Sequence, residues 1–265
     1  MTKVQSFLRI SREYNFFVAA KFAFDKIIFK DKASLKLKAL SLDFDKNMKT
    51  EHYRIPLPPS QLRTAVSGSD VGGFYQIGES WAQVISHLIK DNDTILDIGC
   101  GCGKTARLLL LNPNIEYIGF DICKPLIEWS KIYIESPTKG PFQFRHFDVA
   151  SEVYNPLGQL NGNNVQFPID SDSIDFSFAA SLFTHIFEDV CINYLKETQR
   201  VLKKGGKALY SIHINPREGT TYSGNESRID IAPEYFIKLA GDFGLKLVED
   251  IGKICGQNAF LFEKE

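Results

Sequence analysis

The 265-residue chain lacks several features that would assign it to a particular class of protein. No apolar run approaches the roughly 20 residues that a membrane-spanning helix needs, and the N-terminus has no signal-peptide core with a cleavage site. The five cysteines are an odd number and contain no CxxC pair, which argues against a disulfide framework. We therefore expect a protein of a reducing compartment, the cytoplasm.

The chain also lacks a charge excess of either sign, with a net charge of -1. This balance gives no general argument for a nucleic-acid partner. A content of 44% hydrophobic and 24% charged residues fits an enzyme with one sizeable domain and an extra cap. The charge is nevertheless uneven, because residues 1–50 hold eleven Lys/Arg against five Asp/Glu.

The basic segment 1–50 carries apolar side chains at helical spacing, beginning with Phe7, Ile10, Tyr14 and Phe17. One or two amphipathic helices are therefore predicted. We favour a helical cap packed on the core, and the alternative is a peripheral membrane contact through a basic, aromatic-rich helix. The following stretch YRIPLPPS, residues 53–60, holds three prolines and is predicted to be an extended connector.

Residues 94–109, TILDIGCGCGKTARLL, predict a strand, a glycine turn and a helix. Gly99, Gly101 and Gly103 lack a Cβ, so the backbone can turn sharply and approach a ligand closely. The amides that open the following helix would face that ligand. This is a typical arrangement for binding a nucleoside cofactor.

Spacing and charge separate three candidate cofactors for this turn. A dinucleotide fingerprint requires glycine where the chain has Lys104, and a phosphate-binding P-loop requires glycine where it has Ile98. Asp97, at the end of the strand, would repel a di- or triphosphate but suits a ligand with ammonium and sulfonium charges. S-adenosylmethionine is such a ligand.

The segment ILDIGCGCG, residues 95–103, resembles motif I of the class I S-adenosylmethionine-dependent methyltransferases. The resemblance extends over roughly residues 74–265, with further pieces in the order of that family. These pieces are YIGFD at 117–121, FRHFDVA at 144–150, IDFSFAA at 174–180 and LKETQRVLKKGGKALYSI at 195–212.

The alternation of apolar strands and helical segments predicts a doubly wound α/β domain with a mostly parallel sheet. Two short segments, 245–249 and 258–262, have no room for a crossover helix between them and should pair antiparallel. The resemblance implies a seven-stranded, Rossmann-like methyltransferase fold that ends in this hairpin. We place the N-terminal cap and connector at 1–73 and the cofactor-binding domain at 74–265.

The resemblance also implies the residues that bind S-adenosylmethionine. Asp121 would accept both ribose hydroxyls and Asp148 the adenine amino group, although aspartates at strand ends are often only turn residues. Tyr75 precedes a helical stretch predicted at 79–89 and is either a cofactor-lining residue or a buried core tyrosine. The predicted cofactor-binding residues are Tyr75, Asp97, Gly99, Cys100, Gly101, Gly103, Asp121, Ile122, Asp148, Val149 and Ala180.

Two histidines are candidates for a general base at the same edge of the sheet. His185 follows the fourth predicted strand, and His213 follows the fifth. Either could instead serve packing, His185 at a helix start and His213 as a satisfied core imidazole. The residues contain no metal-binding constellation, so no metal is expected.

Acceptor recognition is expected in two long polar segments, 149–166 and 215–229, at the ligand edge of the sheet. The first contains YNPLG, which resembles an insertion of some methyltransferases with small-molecule or sugar-like acceptors. The Asn/Asp-Pro-Pro-aromatic turn of many amino-methylating enzymes is missing, because Ala179, Ala180, Ser181 and Leu182 occupy its place.

These observations predict a methyltransferase that acts on a small-molecule or sugar-containing acceptor, at oxygen, with no nucleic-acid partner. One alternative is a catalytically silent cofactor-binding partner subunit. Another is a peripheral membrane methyltransferase with a lipid-linked acceptor, which would use residues 1–50 to reach the interface.

Overall fold

The computed structural model describes residues 55–67, 71–110, 114–138 and 140–265. The predicted cap helices within 1–50 lie outside the described residues, as does the start of the proline-rich connector. Residues 55–59 of that connector are not helical, as predicted, and the first described helix, α1, begins directly after them at Ser60–Ser67.

The N-terminal half of the described fold leads into the first three strands. Helix α2 (Val71–Leu88) delivers the chain to β1 (Thr94–Ile98), which is followed by the short α3 (Ala106–Leu109) and β2 (Glu116–Asp121). Next come α4 (Lys124–Ser130), a π-helical segment (Lys131–Glu135), α5 (Ser136–Thr138) and β3 (Phe142–His146).

The C-terminal half contains the remaining strands and an extra hairpin. Strand β4 (Ile174–Ala179) is followed by α6 (Glu188–Val201) and β5 (Leu202–Ile212). Strands β6 (Tyr222–Asn225) and β7 (Arg228–Ile231) form a separate two-stranded sheet. Helix α7 (Pro233–Asp242) then leads to β8 (Leu245–Ile254) and β9 (Gln257–Lys264).

The main sheet has seven strands in the order β3-β2-β1-β4-β5-β9-β8. Strands β1 to β5 pair in parallel, whereas β9 pairs antiparallel with both β5 and β8. The doubly wound sheet and its C-terminal antiparallel hairpin are thereby confirmed. The strand order reverses between β1 and β4. In open α/β sheets, ligands bind at such a reversal, beyond the carboxyl ends of the strands.

Strand β1 shows why the sheet is buried on both faces. Leu96 and Ile98 belong to one apolar cluster, while Ile95 belongs to a second cluster on the opposite face. Successive side chains of a strand point to opposite faces, so a strand covered by helices on both sides is apolar at nearly every position. Asp97 is the exception, and it is buried.

Two elements differ from the sequence-based expectation. Helix α2 starts at Val71, eight residues earlier than predicted, because tertiary packing overrides the low helix propensity of Gly72 and Gly73. The second polar segment, 215–229, contains most of the β6–β7 hairpin instead of only loop structure. Ile229 and Ile231 are buried in the core and hold this hairpin against the main sheet.

Among the described residues, no helix combines the length and the apolar composition that crossing a membrane requires.

Candidate active site

The glycine turn after β1 lies against the end of β2. The amides of Gly99 and Cys100 both donate to the carbonyl oxygen of Phe120, at 2.9 and 3.0 Å. Gly101 has a φ of +56°, and a Cβ at this position would lie 2.7 Å from Cγ1 of Val66 in α1. Both the left-handed backbone and the close approach of α1 therefore require glycine at position 101.

Asp121 ends β2 and is held by the backbone around it. Its Oδ2 accepts a hydrogen bond from the Gly101 amide at 2.8 Å, and its Oδ1 accepts one from the Cys123 amide at 2.7 Å. Burial raises the pKa of Asp121, whereas these two amides act in the opposite direction. Each carboxylate oxygen can accept a further bond, so the group suits a ligand with two adjacent hydroxyls.

Asp97 presents an unsatisfied buried acceptor at the end of β1. Its Oδ2 accepts a 2.6 Å hydrogen bond from the Tyr117 hydroxyl, and its Oδ1 has no partner among the described residues. Burial raises the pKa of this carboxyl to about 7. A buried oxygen without a donor costs free energy, and a ligand with an ammonium group would satisfy it. Asp97 and Asp121 thus fit the methionine and ribose parts of S-adenosylmethionine.

A single cavity joins these carboxylates to the loops after β3 and β4. Of the predicted site residues, the structure brings His185 and eight cofactor residues to this cavity: Asp97, Gly99, Cys100, Gly101, Asp121, Ile122, Val149 and Ala180. Most of the cavity is lined by apolar side chains, among them Leu182, Ile186 and Val190. The cavity therefore offers a polar end at the glycine turn and an apolar end near His185.

Four predicted site residues do not line the cavity. Tyr75 is buried in the core, where its ring packs 5.2 Å from the Arg107 guanidinium. The side chain of Asp148 accepts a 3.0 Å hydrogen bond from Nδ2 of Asn155 and so serves the insertion after β3. Neither side chain lines the cavity in the free protein, and the placement of Tyr75 and of the Asp148 carboxylate at the cofactor stays a prediction.

Gly103 and His213 also lie away from the cavity lining. A Cβ at Gly103 would overlap Cδ1 of Ile134, so this glycine allows the turn to pack on the π-helical segment. His213 pairs with Asp230 of β7 through a backbone bridge, and burial together with the nearby Arg228 lowers its pKa. In the structure, Gly103 therefore contacts the π-helical segment and His213 contacts β7, and neither reaches the cavity wall.

His185 forms a polar cluster with Tyr154 and Glu226 at the apolar end of the cavity. Its Nδ1 lies 2.9 Å from the carbonyl oxygen of Glu226 and 3.1 Å from the Tyr154 hydroxyl. A carbonyl oxygen can only accept, so Nδ1 carries the ring hydrogen and Nε2 is the basic nitrogen. Burial lowers the pKa of His185, which keeps the ring neutral at neutral pH.

Glu226 connects the two long segments that the sequence indicates for acceptor recognition. It stands between β6 and β7, and its Oε2 accepts bonds from the Ser151 hydroxyl and the Val153 amide, both at 2.8 Å. Sequence reasoning missed Tyr154 and Glu226 as site residues. The YNPLG motif contains Tyr154 and could have indicated it, but no local signal marks Glu226, which is 75 residues away from Ser151.

Within the described part of the chain, no group of three or more His, Cys, Asp or Glu side chains could hold a metal ion.

Comparisons with known proteins agree with this geometry. Residues 96–210 match the family model described as a methyltransferase domain. A 92-residue segment, 33% of this chain, is 30% identical to carboxy-S-adenosyl-L-methionine synthase of Desulfotalea psychrophila. The chain covers only 38% of the length of that relative.

Solved structures share the fold at low sequence identity. A TehB-like SAM-dependent methyltransferase from Corynebacterium glutamicum superposes with a TM-score of 0.51 and 17% identity, over 86% of this chain and 99% of the other. Geranyl diphosphate C-methyltransferase from Streptomyces coelicolor, solved with Mg2+, geranyl diphosphate and S-adenosyl-L-homocysteine, gives 0.54 and 14%, over 71% and 77%.

The motif sequence, the sheet order and the match over residues 96–210 thus agree, and this part of the chain is similar to the methyltransferase domain of the class I S-adenosylmethionine-dependent methyltransferases.

Proposed function

We propose that this protein transfers the methyl group of S-adenosylmethionine to an oxygen atom of a small-molecule or sugar-containing acceptor. The observation that carries the proposal is the placement of His185. It lines the cavity, its Nδ1 is tied to the Glu226 carbonyl, and its Nε2 is thereby the nitrogen that can take a proton from a hydroxyl.

The donor half of the site is proposed to use Asp97 and Asp121. Bound S-adenosylmethionine would supply an electrophilic methyl group on a sulfonium. Asp121 would hold the ribose hydroxyls through its two backbone-anchored oxygens, and the free Oδ1 of Asp97 would hold the ammonium group. Val149 and Ile122 line the same cavity, where they would pack on the adenine.

The acceptor half is proposed to exclude water and position one hydroxyl. The insertion after β3 and the β6–β7 hairpin meet at Glu226, and this contact closes the cavity beside His185. Because Nδ1 of His185 donates to Glu226, the Tyr154 hydroxyl can donate to an acceptor oxygen in the cavity. Methyl transfer is an in-line displacement, so orientation and water exclusion are the main requirements.

The proposed base, His185, favours methyl transfer to oxygen over methyl transfer to other atoms. A hydroxyl must lose its proton, and a neutral imidazole with a pKa below its usual value still accepts one at neutral pH. The acceptor is proposed to be a small molecule because most of the described cavity wall is apolar. A cytoplasmic location remains a prediction.

The first experiment identifies the acceptor. The protein is incubated with isotope-labelled S-adenosylmethionine and fractions of a cell extract, and products 14 mass units heavier are detected by mass spectrometry. We expect labelled product in at least one small-molecule fraction. If the protein binds the cofactor but labels no fraction, the proposal fails in favour of a catalytically silent partner subunit.

The second experiment tests the base. His185→Asn keeps a donor at the position of Nδ1 and removes Nε2, so turnover should fall by about 10²- to 10⁴-fold while cofactor affinity stays within twofold. His213→Asn is the matched control and should keep near-normal turnover because His213 does not line the cavity. Wild-type turnover in His185→Asn would remove His185 from the base role.

The membrane alternative rests on residues 1–50. Deleting them should leave vesicle binding unchanged if they form a cap, and should abolish it if they anchor the enzyme to a lipid surface.

A further inference from the structure

A second compartment adjoins the cofactor cavity beside Lys104. It shares Lys104, Tyr154 and His185 with that cavity, and extends toward Trp81 of α2 and Gln257 at the β8–β9 turn. Its wall therefore combines apolar surface with polar side chains. None of the described residues that line it is an aspartate or a glutamate.

Lys104 is a half-buried cation in the wall common to the two spaces. Its stem passes close to Gly78 of α2, where an added Cβ would lie 3.3 Å from Lys104 Cγ. The ammonium group donates to the carbonyl oxygen of Val66 at 3.1 Å. An ammonium has three donors, and no described residue forms an ion pair with this one.

The neighbouring acids do not neutralise Lys104 by direct contact. Asp97 is close enough to favour the charged form of the lysine, but its Oδ2 accepts the hydrogen bond from Tyr117 and its Oδ1 has no partner in the part of the chain that the structure describes. Burial lowers the pKa of Lys104, which means that the charged form is incompletely solvated. A half-buried cation with free N–H donors beside a cavity is suited to binding an anion.

We propose that Lys104 binds a carboxylate group at the junction of the two spaces. The ammonium group of Lys104 is positively charged, and Lys104 lines both cavities. A carboxylate would accept hydrogen bonds from the ammonium N–H groups that do not bond to Val66. This inference assumes, from the proposed function, that the neighbouring cavity holds S-adenosylmethionine. The carboxylate belongs either to the methionine part of that cofactor or to the acceptor.

Calorimetry on the full chain and on Lys104→Met tests both sources. Methionine preserves the length of the stem and removes the charge, and Lys104→Arg is the matched variant that restores it. The first pair of probes is S-adenosylhomocysteine and S-adenosyl-3-thiopropylamine, which lacks only the carboxylate. The second pair is acetate and the neutral acetamide, each titrated into the S-adenosylhomocysteine complex.

If the cofactor supplies the carboxylate, Lys104→Met should weaken S-adenosylhomocysteine binding by about tenfold to a hundredfold and leave S-adenosyl-3-thiopropylamine unchanged. If the acceptor supplies it, both nucleosides should bind Lys104→Met as they bind the wild type. In that case acetate should bind the wild-type complex better than acetamide, and Lys104→Met should lose this preference. Lys104→Arg should recover most of either effect.

The thermal midpoint shows whether Lys104→Met is folded. The proposal is overturned if the folded variant distinguishes S-adenosylhomocysteine from S-adenosyl-3-thiopropylamine as the wild type does, and also distinguishes acetate from acetamide as the wild type does. It is also overturned if both nucleosides weaken equally, because Lys104 would then act on the fold of the cavity and not on a carboxylate. A wild-type protein that binds no nucleoside would instead refute the proposed function, and acetate titration of the free protein would still test Lys104.

Discussion

The hydroxyl of Tyr117 donates a 2.6 Å hydrogen bond to Oδ2 of Asp97 at the carboxyl end of the parallel sheet. Burial raises the pKa of Asp97 to about 7, the hydrogen bond from Tyr117 lowers it, and the charge of Asp121 raises it. The carboxyl therefore holds its proton to a much higher pH than an exposed aspartate does. A cationic ligand at its free Oδ1 would favour the ionised form.

Cofactor affinity is therefore predicted to depend on pH. Below pH 7 the ligand must displace a proton from Asp97, so affinity should fall by up to about tenfold per pH unit, and above pH 7 it should level off. Calorimetry with S-adenosylhomocysteine between pH 5.5 and 8.5, in buffers of different ionisation enthalpy, should also detect the proton released on binding.

Two controls separate this effect from general titration. Methylthioadenosine lacks the amino-acid ammonium and should bind with little pH dependence in the same range. Tyr117→Phe retains the ring that stacks on Phe142 but removes the hydrogen bond that lowers the pKa of Asp97, so the midpoint should move to higher pH. An unchanged midpoint in this variant would contradict the assignment.

Much of the donor half of the site could be predicted from the sequence. Asp97 and Asp121 end apolar strands, and Gly101 stands in a local turn, so neighbouring residues determine their positions. The direction of the Asp148 side chain could not be predicted, because it depends on a contact with Asn155 in a loop without regular periodicity. Tyr75 likewise faces Arg107, whose position is a property of the folded α2–α3 contact.

The acceptor half was predictable only as a region. Ser151 and Glu226 are 75 residues apart, and Tyr154 and His185 are 31 apart. No periodic pattern encodes contacts between irregular segments, whereas the alternation of strands with helices and the C-terminal hairpin follow from apolar periodicity and loop length. The polar segment 215–229 also concealed much of a hairpin, because β6 and β7 are only four residues each.

The two downstream aspartates are predicted to differ in their contribution to cofactor binding. Asp121→Ala should weaken S-adenosylhomocysteine binding by at least tenfold, because it removes a charged acceptor of ribose hydroxyls and releases the Gly101 amide. Asp148→Ala should weaken it by less than threefold, because that side chain bonds to Asn155 outside the cavity lining. Calorimetry at pH 8 measures both. Equal losses would show that Asp148 turns to the adenine when the cofactor binds.

Glu226 is predicted to be a positioning residue for the proposed base. Its side chain holds the Tyr154 segment through Ser151 and Val153, and its carbonyl oxygen fixes the ring hydrogen of His185. Glu226→Ala keeps the carbonyl but releases the segment, so turnover should fall by about tenfold with cofactor affinity unchanged. The acceptor found by mass detection serves for this measurement.

A structural role alone would not produce the accompanying effects. Glu226→Ala and Tyr154→Phe should be non-additive in turnover, because the first substitution already displaces the Tyr154 hydroxyl. Nitrogen NMR should show that His185 keeps its hydrogen on Nδ1 in Glu226→Ala. Ser227→Ala, in the same turn and exposed, is the control and should match the wild type. Additive losses would argue against the positioning role.

Gly103 is predicted to be required for packing as well as for its backbone conformation. Its φ is +69°, and Gly205 has a similar φ of +75° but nothing within 4 Å of an added Cβ. Gly205→Ala should therefore reveal the backbone strain alone, about 1 kcal/mol of unfolding free energy. Gly103→Ala should cost about 1–3 kcal/mol more, because the new methyl group overlaps the fully buried Ile134.

Urea denaturation measures the unfolding free energy of both glycine variants. Ile134→Val in the Gly103→Ala background should recover part of the loss, because it removes the Cδ1 that the new methyl group overlaps. Equal losses in the two glycine variants would show that the π-helical segment moves aside at no cost.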